Sequence, residues 1–196
     1  MGVKKMIIYA STKTIQIKIV YFGPAMSGKT TSLKHLMSSY GQERNLRSIE
    51  TTTGRTLVFD FGSITITGND WKLKIYLYSA TGQDFYASTR AATINNLDGI
   101  IFVADSQLEY LTDNVRSWNE LSLYYGENVY QIPIIVCLNK QDLTSVITDE
   151  LIAYNFGLER FSSYKIVHTI AKEGKGVVSA FYNMLEFLFP SIPIAQ

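Results

Sequence analysis

The stretch from Thr14 to Tyr40 constrains the fold more than any other part of this chain. Thr14–Phe22 alternates Ile15, Ile17 and Ile19, ends in an apolar Val20-Tyr21-Phe22, and so reads as a strand that stops at Gly23-Pro24. Thr31–Tyr40 then reads as a helix. Between them stands Gly23-Pro24-Ala25-Met26-Ser27-Gly28-Lys29-Thr30, which satisfies the G-x-x-x-x-G-K-[ST] phosphate-loop pattern in the strand-to-helix setting that pattern requires. Glycines let backbone N–H groups turn inward around a phosphate, and the helix N-terminus adds partial positive charge. Lys29 would bridge phosphate oxygens and the Thr30 hydroxyl would ligate Mg²⁺. The candidate phosphate-binding residues are therefore Gly23, Ala25, Met26, Ser27, Gly28, Lys29, Thr30 and Thr31. A glycine turn that merely caps a helix is the plainer alternative, and the loop alone does not choose between guanine and adenine nucleotides.

The rest of the chain alternates in the same way. A polar, irregular segment over residues 41–55 precedes a strand-like run Thr56–Thr67, a turn at Gly68-Asn69-Asp70 and a second strand Trp71–Tyr78, which together read as a hairpin. Gly99–Ala104 and Ile132–Leu138 are continuous apolar runs, as expected of strands covered on both faces. A weaker strand near Tyr164–His168 and a helix near Val177–Phe189 complete an α/β chain, with a mostly parallel six-stranded sheet, one antiparallel hairpin and helices on both faces. If the hairpin turns near Asn69, Asp60 falls opposite about Tyr78, beside Ser79. We expect residues 15–189 to form one domain, with an extension at 1–14 and a tail at 190–196. Residues 1–13 could add a strand, dock on a partner or fray.

With 196 residues and a formal net charge of +1, the chain has material for one core and no polybasic run to suggest nucleic acid as a partner. The single cysteine, Cys137, lies in an apolar run and reads as a core residue. No apolar stretch suits a membrane span, and neither end carries a lipidation pattern, so the expected location is the cytoplasm, with any membrane contact made through a partner. His35 and His168 stand without metal-ligand spacing, and Trp118, Leu121 and Tyr125 have the helical spacing of a core face.

Asn139-Lys140-Gln141-Asp142 follows directly on the strand ending at Leu138, at the carboxyl edge where open α/β sheets bind ligands. A carboxylate accepts hydrogen bonds and does not donate them, so Asp142 suits the N1–H and exocyclic amine of guanine and not the lone pair of adenine N1. Asn139 would brace the loop and Lys140 would lie along base and ribose. Thr169-Ile170-Ala171-Lys172, after the last strand, would supply the Ala171 N–H to the guanine carbonyl oxygen, with Lys172 completing the base site.

With these motifs in this order, the chain resembles a Ras-like small GTPase, a P-loop NTPase of the small G domain type, over roughly residues 15–189. It is most similar to the prokaryotic MglA-type GTPases, on the Gly23-Pro24 opening, the segment from Arg55-Thr56-Leu57 to Phe59-Asp60-Phe61, and Phe102-Val103-Ala104-Asp105-Ser106-Gln107. The resemblance implies a GTP-binding switch that hydrolyses GTP to GDP slowly, with Mg²⁺, a role in polarity or motility, and a roadblock-fold, MglB-like activating partner. Effectors are not implied by any motif. Thr56 would sense Mg²⁺ and the γ-phosphate, with Thr51, Thr52 and Thr53 close enough to be confused with it. In Ser79-Ala80-Thr81-Gly82-Gln83, Gly82 would donate its N–H to the γ-phosphate and Gln83 would orient water, while Arg55 would act as an intrinsic arginine finger. Two departures stand out. Ser79 occupies the place of a Ras-type Asp, a loss that Asp60 would offset as a metal ligand, and Ala25 replaces a glycine common in the superfamily. The alternative is a GTP/GDP-binding scaffold with negligible hydrolysis; an ATP-using enzyme is disfavoured by Asp142.

Overall fold

The apolar runs become the middle of the sheet. In the computed structural model, which describes residues 6–50, 57–68, 70–80 and 93–191, strands β6 (Gly99–Asp105) and β7 (Ile134–Asn139) are buried at every position. Alternation is missing from their sequences because both of their faces are covered. Strands β2 (Thr14–Phe22), β4 (Leu57–Thr67), β5 (Lys72–Ala80) and β8 (Tyr164–Thr169) complete the six expected strands. Two short strands, β1 (Ile7–Tyr9) and β3 (Arg47–Glu50), are added to them. The order is β3-β4-β5-β2-β6-β7-β8, with β1 beside β2. β5, β2, β6, β7 and β8 run parallel, whereas β4 is antiparallel to both β3 and β5.

Helices α1 (Lys29–Ser39) and α4 (Val177–Leu188) cover one face, where Leu33, Leu36, Phe181 and Leu185 meet Ile17, Ile19 and Leu77. Helices α2 (Leu111–Tyr125) and α3 (Asp149–Phe156) cover the other, where Trp118, Leu121 and Tyr125 join Val20, Phe102 and Val136 as their spacing suggested. Trp118 stacks on Phe156 with ring centroids 4.0 Å apart, and its indole N–H donates to the Phe156 carbonyl at 2.9 Å. Cys137 is buried, and desolvation pushes its thiol up to about 12, so it is a core residue and not a nucleophile.

The two extra strands have different causes. β2 pairs with β6 only from Ile19 onward, which leaves the amides and carbonyls of its first residues facing an open flank. β1 takes that ladder, with Ile8 opposite Ile15, because unpaired backbone groups beside a core are costly. β3 is an edge strand of polar sequence held by its pairing with β4, Arg47 opposite Phe61 and Ser48 opposite Asp60; no side-chain period marks it.

The hairpin differs from the sequence expectation by one residue. Thr67 is the last residue of β4 to pair, opposite Lys72, and Gly68 N–H donates to the Trp71 carbonyl at 2.9 Å. Asp60 therefore faces Ser79 and not Tyr78. Directly paired residues share a face, and here both are 2% exposed on the α1 side.

Candidate functional site

The carboxyl ends of β2, β6, β7 and β8 deliver their loops to one edge of the sheet. In the phosphate loop, Gly23 has φ +137° and a Cβ there would lie 2.2 Å from the Val103 carbonyl oxygen. Gly28 has φ +105°, and its Cβ would lie 2.2 Å from Asn139 Nδ2. Neither position admits a side chain, which is the structural reason for the motif's two glycines. Gly23→Ala is expected to destabilise the protein by roughly 3–5 kcal/mol, from overpacking and left-handed strain. Urea unfolding measures this, and a variant as stable as the parent would contradict the close approach to β6.

Met26 also lies at positive φ, 59°, and is 90% exposed at the tip of the loop. Ala25 is exposed beside it, whereas Ser27 and Lys29 are buried. The Lys29 ammonium donates to the carbonyls of Gly23 at 3.0 Å and Pro24 at 2.5 Å, folded into the concave side of the loop. A phosphate oxygen arriving there offers the same ammonium a charged and stronger acceptor than these carbonyls.

At the first turn of α1, Thr30 Oγ1 donates to Asp60 Oδ2 at 2.6 Å, with Ser79 directly opposite Asp60 on β5. Among the described residues no group of three or more His, Cys, Asp or Glu side chains is gathered. The donor set is thus one carboxylate with hydroxyls, all hard oxygen, on the lip of the phosphate loop. That set fits Mg²⁺, which is held by one or two carboxylates plus phosphate oxygens and keeps much of its water.

At the other end, Asn139 is 2% exposed and joins two loops. Its Nδ2 donates to the Ser27 carbonyl at 2.7 Å, and its Oδ1 accepts from Thr169 Oγ1 at 3.1 Å and from Ala171 N–H at 2.8 Å. The amide that the sequence reading directs at a guanine carbonyl is here given to Asn139. Asp142 accepts from the Lys172 ammonium at 2.5 Å, and this bond holds its carboxyl below the usual carboxylate range. Asn139, Asp142, Ala171 and Lys172, with Met26 and Thr31, line a cleft of about 230 Å³.

Lys140 takes the left-handed conformation, φ 69°, and sends its ammonium to Asp105 Oδ2 at 2.5 Å and over the Tyr110 ring. Asp105 is 2% exposed and was missed as a site residue by reading the sequence. The signal was present: a carboxylate ends the buried run of β6, and parallel pairing sets Asp105 beside Asn139. Arg55, Thr56, Gly82 and Gln83 lie outside the described residues.

The chain matches the ADP-ribosylation factor family over residues 3–188. The mutual gliding-motility protein MglA of Myxococcus xanthus (strain DK1622) is 35% identical over 173 residues, which cover 85% of this chain and 87% of that protein. ADP-ribosylation factor-like protein 6 of Caenorhabditis elegans is 26% identical over 86% of this chain and 84% of its own length. DnaJ homolog subfamily C member 27 of Danio rerio is 27% identical over 87% of this chain, but only 60% of that protein is covered. Among the described residues no helix is long and apolar enough to cross a membrane. With the Gly23–Thr30 loop and the loops after β7 and β8 assembled on one sheet edge, the chain belongs to the ADP-ribosylation factor family of P-loop GTPases, is related to the MglA-type bacterial GTPases, and is a GTP-binding and GTP-hydrolysing switch protein.

Proposed function

We propose that the site holds Mg²⁺–GTP with the phosphates in the loop Gly23–Thr31 and the guanine between Asp142, Lys140 and the Ala171–Lys172 turn. The observation that carries this reading is Asn139, whose one amide group ties Ser27 of the phosphate loop to Ala171 of the base loop. Such a brace fixes the distance between the two halves of a nucleotide site. Thr30 and Asp60 face the metal position, with Thr56 as the hydroxyl that senses the γ-phosphate. Mg²⁺ held by Thr30 and Asp60 would supply positive charge against the charge that develops on the phosphates. Asp60 then supplies the carboxylate that Ser79 lacks, since Thr30 Oγ1 already donates to it.

For hydrolysis, Gln83 orients the attacking water, Gly82 N–H binds the γ-phosphate, and Arg55 neutralises transition-state charge. Intrinsic turnover is slow and is raised by a partner that sets Arg55 and Gln83, a roadblock-fold protein of the MglB type. By its relation to the Myxococcus gliding-motility protein, the biological setting is polarity or motility control in the cytoplasm, with membrane contact through a partner.

The test is a single turnover with labelled GTP or ATP and Mg²⁺, following protein-bound nucleotide. Retained GTP that converts slowly to GDP, with ATP not retained, is the expected result. Gln83→Leu should cut the rate by about 10²-fold or more, and Arg55→Ala should abolish stimulation by the partner. GTP retained unchanged, even with a roadblock-fold partner added, would make the protein a nucleotide-holding scaffold.

A further inference from the structure

We propose that His35, on α1 and apart from every nucleotide motif, is a positioning residue that sets guanine recognition by holding the backbone of Lys172. The inference rests on the guanine reading above and names a residue that reading does not use.

α1 begins at Lys29, whose ammonium occupies the phosphate loop, and within two turns it presents the half-buried His35 to the loop after β8. His35 Nε2 lies 3.1 Å from the Lys172 carbonyl oxygen. A carbonyl only accepts, so Nε2 carries the proton and donates. Gly174 closes over the same ring. Its φ is +74°, and a Cβ there would lie 3.0 Å from His35 Nδ1. The loop backbone is thus seated on the imidazole from two sides.

The residue held in this way is the one whose ammonium bonds Asp142 Oδ2 at 2.5 Å, and its neighbour Ala171 gives its N–H to Asn139. Lys172 is otherwise exposed, so its backbone is the part that can be fixed. A continuous set of contacts runs from α1 through His35 to Lys172 and Asp142, joining the helix that caps the phosphates to the carboxylate that reads the base. Loss of the imidazole donor frees the Lys172 carbonyl from α1, loosens the ammonium's hold on Asp142, and blurs that carboxylate's aim at the guanine edge.

The comparison that isolates base reading is GDP against inosine diphosphate, which keeps the phosphates, ribose and 6-oxygen and lacks the 2-amine that Asp142 accepts from. Dissociation constants for both are measured by displacement of a fluorescent GDP from the full chain. His35→Leu keeps the bulk and removes the donor, and His35→Asn keeps polarity but falls short of the carbonyl. Each should lower the preference for GDP over inosine diphosphate by roughly threefold to tenfold, the worth of one hydrogen bond. His35→Gln, whose amide N–H reaches the same carbonyl, should restore it.

Equal weakening of both nucleotides by Leu and Asn, or an unchanged ratio, would overturn the proposal, because a merely structural histidine affects both alike. Failure of Gln to restore the ratio would also overturn it. A parent protein that does not prefer GDP over inosine diphosphate would instead refute Asp142 as the base reader, a failure separate from that of His35.

Discussion

Asp142→Asn should exchange guanine for xanthine. The carboxylate offers two acceptors to the N1–H and 2-amine of guanine, whereas an amide presents a donor that matches the 2-oxygen of xanthine. Because a site built on hydrogen bonds leaves buried groups unpaired when the wrong base enters, GTP affinity should fall by roughly 10³- to 10⁴-fold and XTP affinity should rise by a similar factor. Competition of GTP and XTP against labelled GDP reads both changes at once. An unchanged preference would remove Asp142 from the base. The parent's preference also has a defined pH behaviour. The Lys172 ammonium holds the Asp142 carboxyl below its ordinary range, so the ionised acceptor persists as pH falls through that range, and guanine preference is lost only beneath it.

Asn139→Ala should cost stability on the same scale as Gly23→Ala, and nucleotide retention with it. The side chain is buried and satisfies the Ser27 carbonyl, the Thr169 hydroxyl and the Ala171 amide together. Alanine leaves all three partners without it in a dry place. At about 1–3 kcal/mol for each buried group left unsatisfied, partly relieved by water entry, the loss should come to about 3–5 kcal/mol. For a chain of this size that lowers Tm by roughly 10 °C. Because the same amide joins the phosphate and base loops, GDP should also leave faster. Calorimetry and a nucleotide-release assay measure the two effects, and a variant that melts with the parent and holds GDP as long would show that Asn139 braces nothing.

The parts of this site legible in the sequence are those fixed by local chemistry. The strand-to-helix turn at Gly23–Thr30, the tetrapeptide Asn139–Asp142 at the end of a buried strand, and the buried runs of β6 and β7 each carry their reason within a few residues. What depended on pairing was harder to read. β1 exists because β6 starts late along β2, a fact about two strands distant in sequence. β3 has no side-chain alternation because an edge strand of polar residues is held by its neighbour's backbone. Asp105 is a polar end to an apolar run until the parallel register of β6 and β7 brings it beside Asn139 and under Lys140. His35 looked idle because its partner is a carbonyl, which carries no signature in the sequence.

The pairing of Asp60 with Ser79 has a bearing on how such chains are sorted by pattern. A signature that demands a carboxylate at position 79 scores this protein as defective, although Asp60 brings one to the same face from the opposite strand of the same rung, within hydrogen-bonding reach of Thr30. An exchange of this kind is invisible to any search that compares one column at a time. It is recovered by treating the two positions of a ladder rung as a single character, so that sequences with the carboxylate on either strand are grouped together.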